Sequence, residues 1–178
     1  AMSPVNQFDA EGLPVFYLKD VPPVSTVDLP LVRPELYYGA HTSNYVVVGG
    51  GTQEFDYPKG QENVYTTYQG TGGVALHSLW RRVLFAWYFG DLKFLISANV
   101  TATSQLLFRR RIQDRIRAVA PFLRLDHDPY LTVSNGRMVW IQDAYTVSDM
   151  LPYAQQTVPD GINYIRNAVK VTVDAYDG

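Results

Sequence analysis

Residues 168–178 read AVKVTVDAYDG, in which apolar and polar side chains alternate up to Tyr176 before a final Asp-Gly pair. This alternation is typical of a β-strand with one buried face, and Asp-Gly after such a run indicates a two-residue hairpin turn. No returning strand follows within the 178 residues. We therefore expect the chain to be part of a longer protein. We also expect the strand ending at Tyr176 to have an unpaired or frayed edge, or to pair with a second copy.

A second hairpin is predicted upstream of this strand. Residues 130–133 and 138–141 are rich in strand-forming side chains, and they flank Ser134-Asn135-Gly136-Arg137, where Asn-Gly favours a type I′ turn. Further strands are predicted at residues 45–48, 53–57 and 63–68, near glycines and prolines that favour turns. The sequence therefore predicts strands both before and after its central third.

The middle of the chain has a helical pattern. Apolar residues dominate from 76 to 96, and Gly90-Asp91 predicts the end of one helix and the start of the next. A third helix is predicted to begin near Thr101 or Thr103 and to end before Pro121. Its buried stripe would consist of residues spaced by three and four: Phe108, Ile112, Ile116 and Val119. About three helices between two groups of strands predict an α+β fold.

The first third of the chain is rich in proline. Six of the eleven prolines fall within the first 34 residues, and each biases its predecessor away from helix. We therefore predict that residues 1–33 form an extended arm packed on the core. Residues 34–178 are predicted to form a single α+β domain, cut from a larger chain.

Composition excludes several classes of function. There is no cysteine, which rules out disulfides, thiolate metal sites and a cysteine nucleophile. A net charge of −2 does not favour binding to nucleic acid. The longest apolar run, residues 83–89, is far shorter than the ~20 residues that span a bilayer. We therefore expect no nucleic-acid partner, and no membrane-spanning segment within this piece.

Several stretches of the sequence are distinctive when taken together: RPELYYG (33–39), EFDYP (54–58), ENVYTTY (62–68), GTGG (70–73), FGDL (89–92), APFL (120–123), WIQDAY (140–145), NYIRN (163–167) and DAYDG (174–178). They resemble the uncharacterised protein family UPF0182. The resemblance covers nearly everything from Gly12 onward. It implies a large bacterial multi-pass membrane protein, of a kind well represented in actinobacteria, with this chain in a long extracytoplasmic region. The remainder of that protein would be its partner. The resemblance implies no activity, cofactor or catalytic residue.

Two candidate sites rest on short polar motifs. Gly72 and Gly73 belong to a glycine-rich loop before a predicted helix, where backbone amides can hold an anion; the alternative is an ordinary strand-to-helix turn. Asp126 and Asp128 flank His127 and offer ligands to a metal ion, whereas a turn held by Asp side chains explains them equally. No metal ligand set, catalytic residue or cofactor is predicted.

Charged and aromatic residues suggest further possibilities. Glu54 and Asp56 would share one strand face, as a paired carboxylate site or as a solvated face above an aromatic core formed by Phe55 and Tyr57. Arg110 and Arg117 belong to an arginine-rich helix that forms either a solvated surface or a docking surface for acidic groups. The three tryptophans could stack on sugar rings, although such aromatics more often form core.

The residues favour a non-enzymatic interaction or structural segment, and the resemblance implies that it lies on the extracytoplasmic side of a cell membrane. The first alternative is a domain that binds envelope glycan or lipid through aromatic residues and arginines. The second alternative is a hydrolase-type enzyme domain.

Overall fold

The structure is a computed structural model that describes residues 7–29 and 31–178. Its elements, in chain order, are β1 (Leu18–Lys19), β2 (Val24–Ser25), β3 (Tyr45–Val48), β4 (Glu54–Lys59), β5 (Glu62–Thr66), β6 (Val74–Ala75), α1 (Leu79–Phe89), α2 (Lys93–Ile96), β7 (Gln105–Phe108), α3 (Ile112–Val119), β8 (Arg124–Leu125), β9 (Tyr130–Ser134), β10 (Arg137–Ser148) and β11 (Tyr164–Asp174). The predicted α+β class is confirmed.

The largest sheet is built around β10. Along one side β10 pairs antiparallel with β11, and along the other it pairs first with β9 and then with β8. The β9–β10 turn has positive φ at both Asn135 and Gly136, which confirms the predicted type I′ hairpin. Among the described strands β11 pairs only with β10, so one of its edges is unpaired, as expected.

The end of β11 differs from the prediction. The strand stops at Asp174, two residues before Tyr176. The Asp174 carboxylate accepts the amides of Tyr176 and Asp177, and this turn directs the chain out of the sheet. Tyr176 then packs in a cluster of buried residues: Tyr37, Tyr38, Val48, Tyr68 and Leu107.

A second sheet has the order β3–β7–β6. The prediction of a helix from Thr101 or Thr103 is wrong in its first half, because residues 105–108 form the central strand of this sheet. Leu106 and Leu107 are neighbours in β7 and both are fully buried, one in each of two core clusters, so both faces of the strand are covered.

The third helix is correspondingly short. α3 covers Ile112–Val119, and Ile112 and Ile116 are buried against Val173 of β11. Val119 is 82% exposed, so it does not belong to the predicted buried stripe. The break between the first two helices is confirmed: Gly90 closes α1 in the left-handed region, and the Asp91 carboxylate accepts the amide of Lys93 in α2.

The proline-rich part contains local structure of its own. β1 and β2 form a short antiparallel pair, and the Thr26 amide donates to the Tyr17 carbonyl. Further along, the Val32 amide donates to the Gly136 carbonyl of the β9–β10 turn. Pro4 and Pro30 lie outside the described residues, and the arm boundary at residue 33 stays a prediction. No described helix is long and apolar enough to cross a membrane.

Candidate functional sites

The anion beside the glycine-rich loop is a side chain of the protein, the Asp177 carboxylate. The Thr71 amide and the Tyr68 hydroxyl both donate to Oδ1 of Asp177, each at 3.1 Å. The Gly72 amide donates to the Tyr68 hydroxyl oxygen at 3.0 Å. A Cβ atom on Gly70 or Gly72 would overlap Asp177, so the close approach requires glycine at both positions. The structure thus places Gly72 beside the Asp177 carboxylate rather than beside an open anion site.

Arginine completes the surroundings of this carboxylate. Arg137 Nη2 lies 2.5 Å from Asp177 Oδ2, and its Nε lies 2.9 Å from Asp174. Burial alone would raise the pKa of Asp177. The hydrogen bonds from Arg137, Tyr68 and Thr71 outweigh burial, and the pKa lies below its usual value. Through these contacts, residues 174–177 bind to the loop before β6.

Gly73 has a different reason to be glycine. Its φ is +86°, a region that side chains other than glycine rarely adopt. A Cβ there would lie 2.8 Å from the Leu106 carbonyl oxygen. Gly73 therefore lets the loop enter β6 close to the backbone of β7.

The Asp126 region serves packing between α3 and the main sheet. The Asp126 carboxylate accepts the Tyr145 hydroxyl at 3.2 Å, and its carbonyl accepts the buried Gln142 side chain at 2.9 Å. Gln113 of α3 donates to the same carbonyl at 3.2 Å. Asp128 is exposed. Within residues 7–29 and 31–178, no group of three His, Asp or Glu side chains could hold a metal ion.

The two arginine candidates lie in different surroundings. Arg117 is exposed and pairs with Asp114 on the same helix at 3.4 Å. Arg110 is half-buried: its Nε donates to the Tyr37 carbonyl at 2.6 Å, and its Nη1 donates to the Ser43 hydroxyl at 2.9 Å. Burial lowers the pKa of Arg110. The two arginines therefore do not form one surface for acidic groups.

Arg110 lines a cleft of about 490 Å³ between the segment after the arm and the β4–β5 hairpin. Its apolar walls are Pro34, Leu36, Val46 and Phe55. Glu54 and Asp56 line the same cleft. The register of β4 and β5 shifts between Phe55 and Tyr57, and Phe55 is 57% exposed instead of lying in a core.

Glu54 is engaged in holding the fold. Its carboxylate accepts the Tyr37 hydroxyl, the Gly49 amide at 3.0 Å and the Tyr68 amide at 3.2 Å. Burial, followed by the hydrogen bond to Glu54, raises the pKa of Tyr37 far above its usual value. Because three donors already occupy Glu54, it is poorly placed to exchange protons with a substrate beside Asp56.

The most unusual surface belongs to α1 and α2. One side of α1 packs inward through Arg82, Phe85, Ala86 and Phe89 toward a core cluster that contains Leu76, Phe94 and Leu106. The opposite side and the adjoining α2 expose nine large apolar or aromatic residues, here called the α1–α2 surface: Leu79, Trp80, Val83, Leu84, Trp87, Tyr88, Leu92, Leu95 and Ile96. At about 100° per residue, Trp80, Leu84 and Trp87 lie directly opposite the inward side. The helix is thus apolar on both faces.

The two arginines of α1 form hydrogen bonds with backbone carbonyls beside this surface, and Arg81 lines it together with Leu84 and Trp87. Arg81 donates to the Ala75 carbonyl at 3.0 Å, and Arg82 donates to the Leu76 carbonyl at 2.8 Å. Both guanidinium groups therefore lie against the backbone in and beside β6. The sequence revealed the run of apolar residues, but not which of them face outward.

Comparison with known proteins gives the family of the chain. A UPF0182 protein of Bradyrhizobium diazoefficiens is 55% identical over 177 residues, which are 99% of this chain and 19% of the relative. UPF0182 proteins of Cupriavidus necator and Pelotomaculum thermopropionicum are 52% and 51% identical and are covered to 20% and 19% of their lengths. The chain thus spans about a fifth of these relatives. No solved structure matches it. The model of the Uncharacterised protein family (UPF0182) matches residues 1–178, and the chain belongs to this family.

Proposed function

We propose that this chain is an interaction segment of a longer protein, and that another part of the same polypeptide covers the α1–α2 surface. The observation that carries this proposal is a helix with two apolar faces, only one of which is packed. Helices that are apolar all round are typical of the interior of larger proteins or of membrane spans. With eleven residues α1 is about 16 Å long, too short for a span.

The length of the relatives favours a polypeptide as the occupant. About four-fifths of each relative lies outside the matched region, which is ample chain to supply a cover. A helix that binds the surface of anionic lipid typically carries exposed Lys and Arg on its polar face. α1 and α2 carry only three basic residues beside nine exposed apolar ones: Arg82 is partly buried, Arg81 bonds to the Ala75 carbonyl, and Lys93 lies in α2. The surface therefore suits apolar side chains better than lipid headgroups.

The proposal extends to the cellular location. The resemblance of the sequence motifs to UPF0182 proteins supports a multi-pass membrane protein as the parent, with this chain on the extracytoplasmic face of the cell membrane. The actinobacterial origin that the resemblance suggests stays a prediction.

Cysteine labelling tests both parts of the proposal, since the chain has no cysteine of its own. Trp87→Cys is placed in the full-length protein, with other cysteines replaced, and in the isolated 178-residue chain. Val158→Cys is the matched control, because Val158 is 95% exposed and lies far along the chain from α1. A membrane-impermeant maleimide is applied to intact cells, to membranes and to detergent-solubilised protein.

We expect Cys labelling at position 158 in every preparation, intact cells included. At position 87 we expect labelling only in the isolated chain. Equally fast labelling at 87 in the full-length protein would overturn the docking proposal. If position 87 is protected from the maleimide in membranes but not in detergent, the cover is lipid. If it is protected only in protein that can be crosslinked as a dimer, the cover is a second copy. Failure to label position 158 on intact cells would overturn the extracytoplasmic placement.

A further inference from the structure

The Arg110 guanidinium carries a charge that the described residues do not neutralise. Within residues 7–29 and 31–178, it forms no ion pair within 4.0 Å of a carboxylate. Its two hydrogen bonds go to neutral oxygens, those of Tyr37 and Ser43. They fix the side chain and leave Nη2 without a described partner. A half-buried, fixed guanidinium is well suited to bind a carboxylate.

The same cleft offers carboxylates that are available to a ligand. Asp56 lines the cleft and forms no hydrogen bond or ion pair with the described residues, unlike Glu54 with its three donors. Glu35 also lines the cleft, and its buried Oε2 has no hydrogen-bond partner among the described residues. The walls between these groups include Leu36, Val46 and Phe55. The cleft therefore combines one cation, two carboxylates without described partners and an apolar lining.

We infer that this cleft binds a small zwitterion, of the class of short peptides and amino acids with apolar side chains. The ligand carboxylate bonds to Arg110, its ammonium group bonds to Asp56, and its side chains contact the apolar wall. A volume of about 490 Å³ lies within the range of small-molecule sites and exceeds what a single amino acid needs.

Charge separates this ligand class from others. A phosphate dianion or a simple carboxylate would meet Arg110 but would also face the carboxylates of Glu35, Glu54 and Asp56 without a positive charge of its own. A simple amine would meet Asp56 but would leave Arg110 unpaired. Only a ligand with both charges satisfies both side chains.

Isothermal titration calorimetry on the 178-residue chain tests this inference with three probes that share one apolar body: L-leucyl-L-leucine, its N-acetyl derivative and its C-terminal amide. We expect saturable binding of the free dipeptide. We expect binding at least about tenfold weaker for each blocked form, because each leaves one desolvated charge unpaired. No binding of the free dipeptide, or equal binding of either blocked form, would overturn the inference.

Variants connect the binding to the two side chains. Asp56→Asn removes a carboxylate that holds no described contact, so the fold should persist while affinity for the free dipeptide falls about tenfold. Arg110→Gln should weaken binding similarly, with circular dichroism as a check on folding because two hydrogen bonds are lost. Arg117→Gln is the matched control on α3 and should bind as the wild type does. Unchanged affinity in Asp56→Asn would overturn the inference even if Arg110→Gln did not fold.

Discussion

Trp140 in β10 and Trp87 in α1 represent two opposite regions of this molecule. The Trp140 ring packs against the cluster formed by Ile112, Ile116 and Val173, and its Nε1 donates to the Tyr38 carbonyl at 2.9 Å. Trp87 is 82% exposed and Trp80 is 77% exposed. The same residue type therefore packs and forms a hydrogen bond in one region, whereas it is left without a described cover in the other.

The difference indicates what each region is for. Around β10, Trp140 packs on apolar side chains, and its indole nitrogen and the Gln142 side-chain nitrogen have partners within the chain. The α1–α2 surface has the composition of a protein interior without its surroundings. Large exposed apolar patches on soluble proteins mark interaction sites more often than chance. The first region maintains the fold, and the second is the surface that we propose another part of the protein covers.

The largest expected effect concerns the region around β10. Trp140→Ala should lower the free energy of unfolding by about 3 kcal/mol, because it removes a packed aromatic side chain and leaves the Tyr38 carbonyl without its donor. Urea denaturation followed by circular dichroism measures the change. A loss under about 1 kcal/mol would show that β10 is no better packed than the exposed helix.

The next effect concerns the glycine loop that contacts Asp177. Gly72→Ala should cost about 2 kcal/mol, because its Cβ would overlap the Asp177 backbone and the chain end must shift. Gly51→Ala is the matched control, since its φ is not in the left-handed region and its nearest neighbours lie at 3.8 Å. Equal midpoints of thermal unfolding for the two variants would contradict the described closeness of loop and chain end.

The sequence predicted the elements that depend on local chemistry. Asn135-Gly136 formed the expected turn because both residues tolerate positive φ, and Gly90 ended α1 for the same reason. It did not predict β7: Leu106 and Leu107 continue an apolar run that suits a buried strand as well as a helix, and pairing with β3 and β6 decides between them.

The sequence alone did not predict the contacts that join distant parts of the chain in the candidate sites. Thr71 and Asp177 are 106 positions apart, so nothing local indicates that the loop binds that carboxylate. For Glu54 and Asp56 the sequence left open a paired carboxylate site or a solvated face, because the pairing irregularity beside Asp56 cannot be seen in a single strand. The Gly72 loop, Arg110 and the acidic pair were recognised as separate features. Only the fold showed that Arg110 and Asp56 line one cleft.

A smaller effect is expected from the charge of Asp177, and it should depend on pH. Asp177→Asn should cost about 1–2 kcal/mol at pH 7, where the carboxylate accepts charge-assisted hydrogen bonds. Since folding lowers the pKa of this group, its contribution is complete above the unfolded value of about 3.9. It is lost as the pH falls through the lower folded value. The difference between variant and wild type should therefore shrink below about pH 4. Asp128 is exposed, so Asp128→Asn should have the same free energy of unfolding as the wild type at pH 7 and below about pH 4. If the difference between Asp177→Asn and the wild type stays constant down to about pH 2, the carboxylate does not contribute to stability in the way described.

The smallest expected effect on stability concerns the exposed tryptophans of the α1–α2 surface. Replacing Trp80 and Trp87 together by Gln should change the free energy of unfolding of the isolated chain by under about 0.5 kcal/mol per site, because neither ring is packed. The same variant should bind less of the dye ANS and associate less with itself, since two aromatic groups leave an exposed apolar surface. Urea denaturation and analytical ultracentrifugation measure the two properties. A loss of stability comparable to that of Trp140→Ala would mean that these rings already have a cover within the chain, and the α1–α2 surface would then have no need of the rest of the protein.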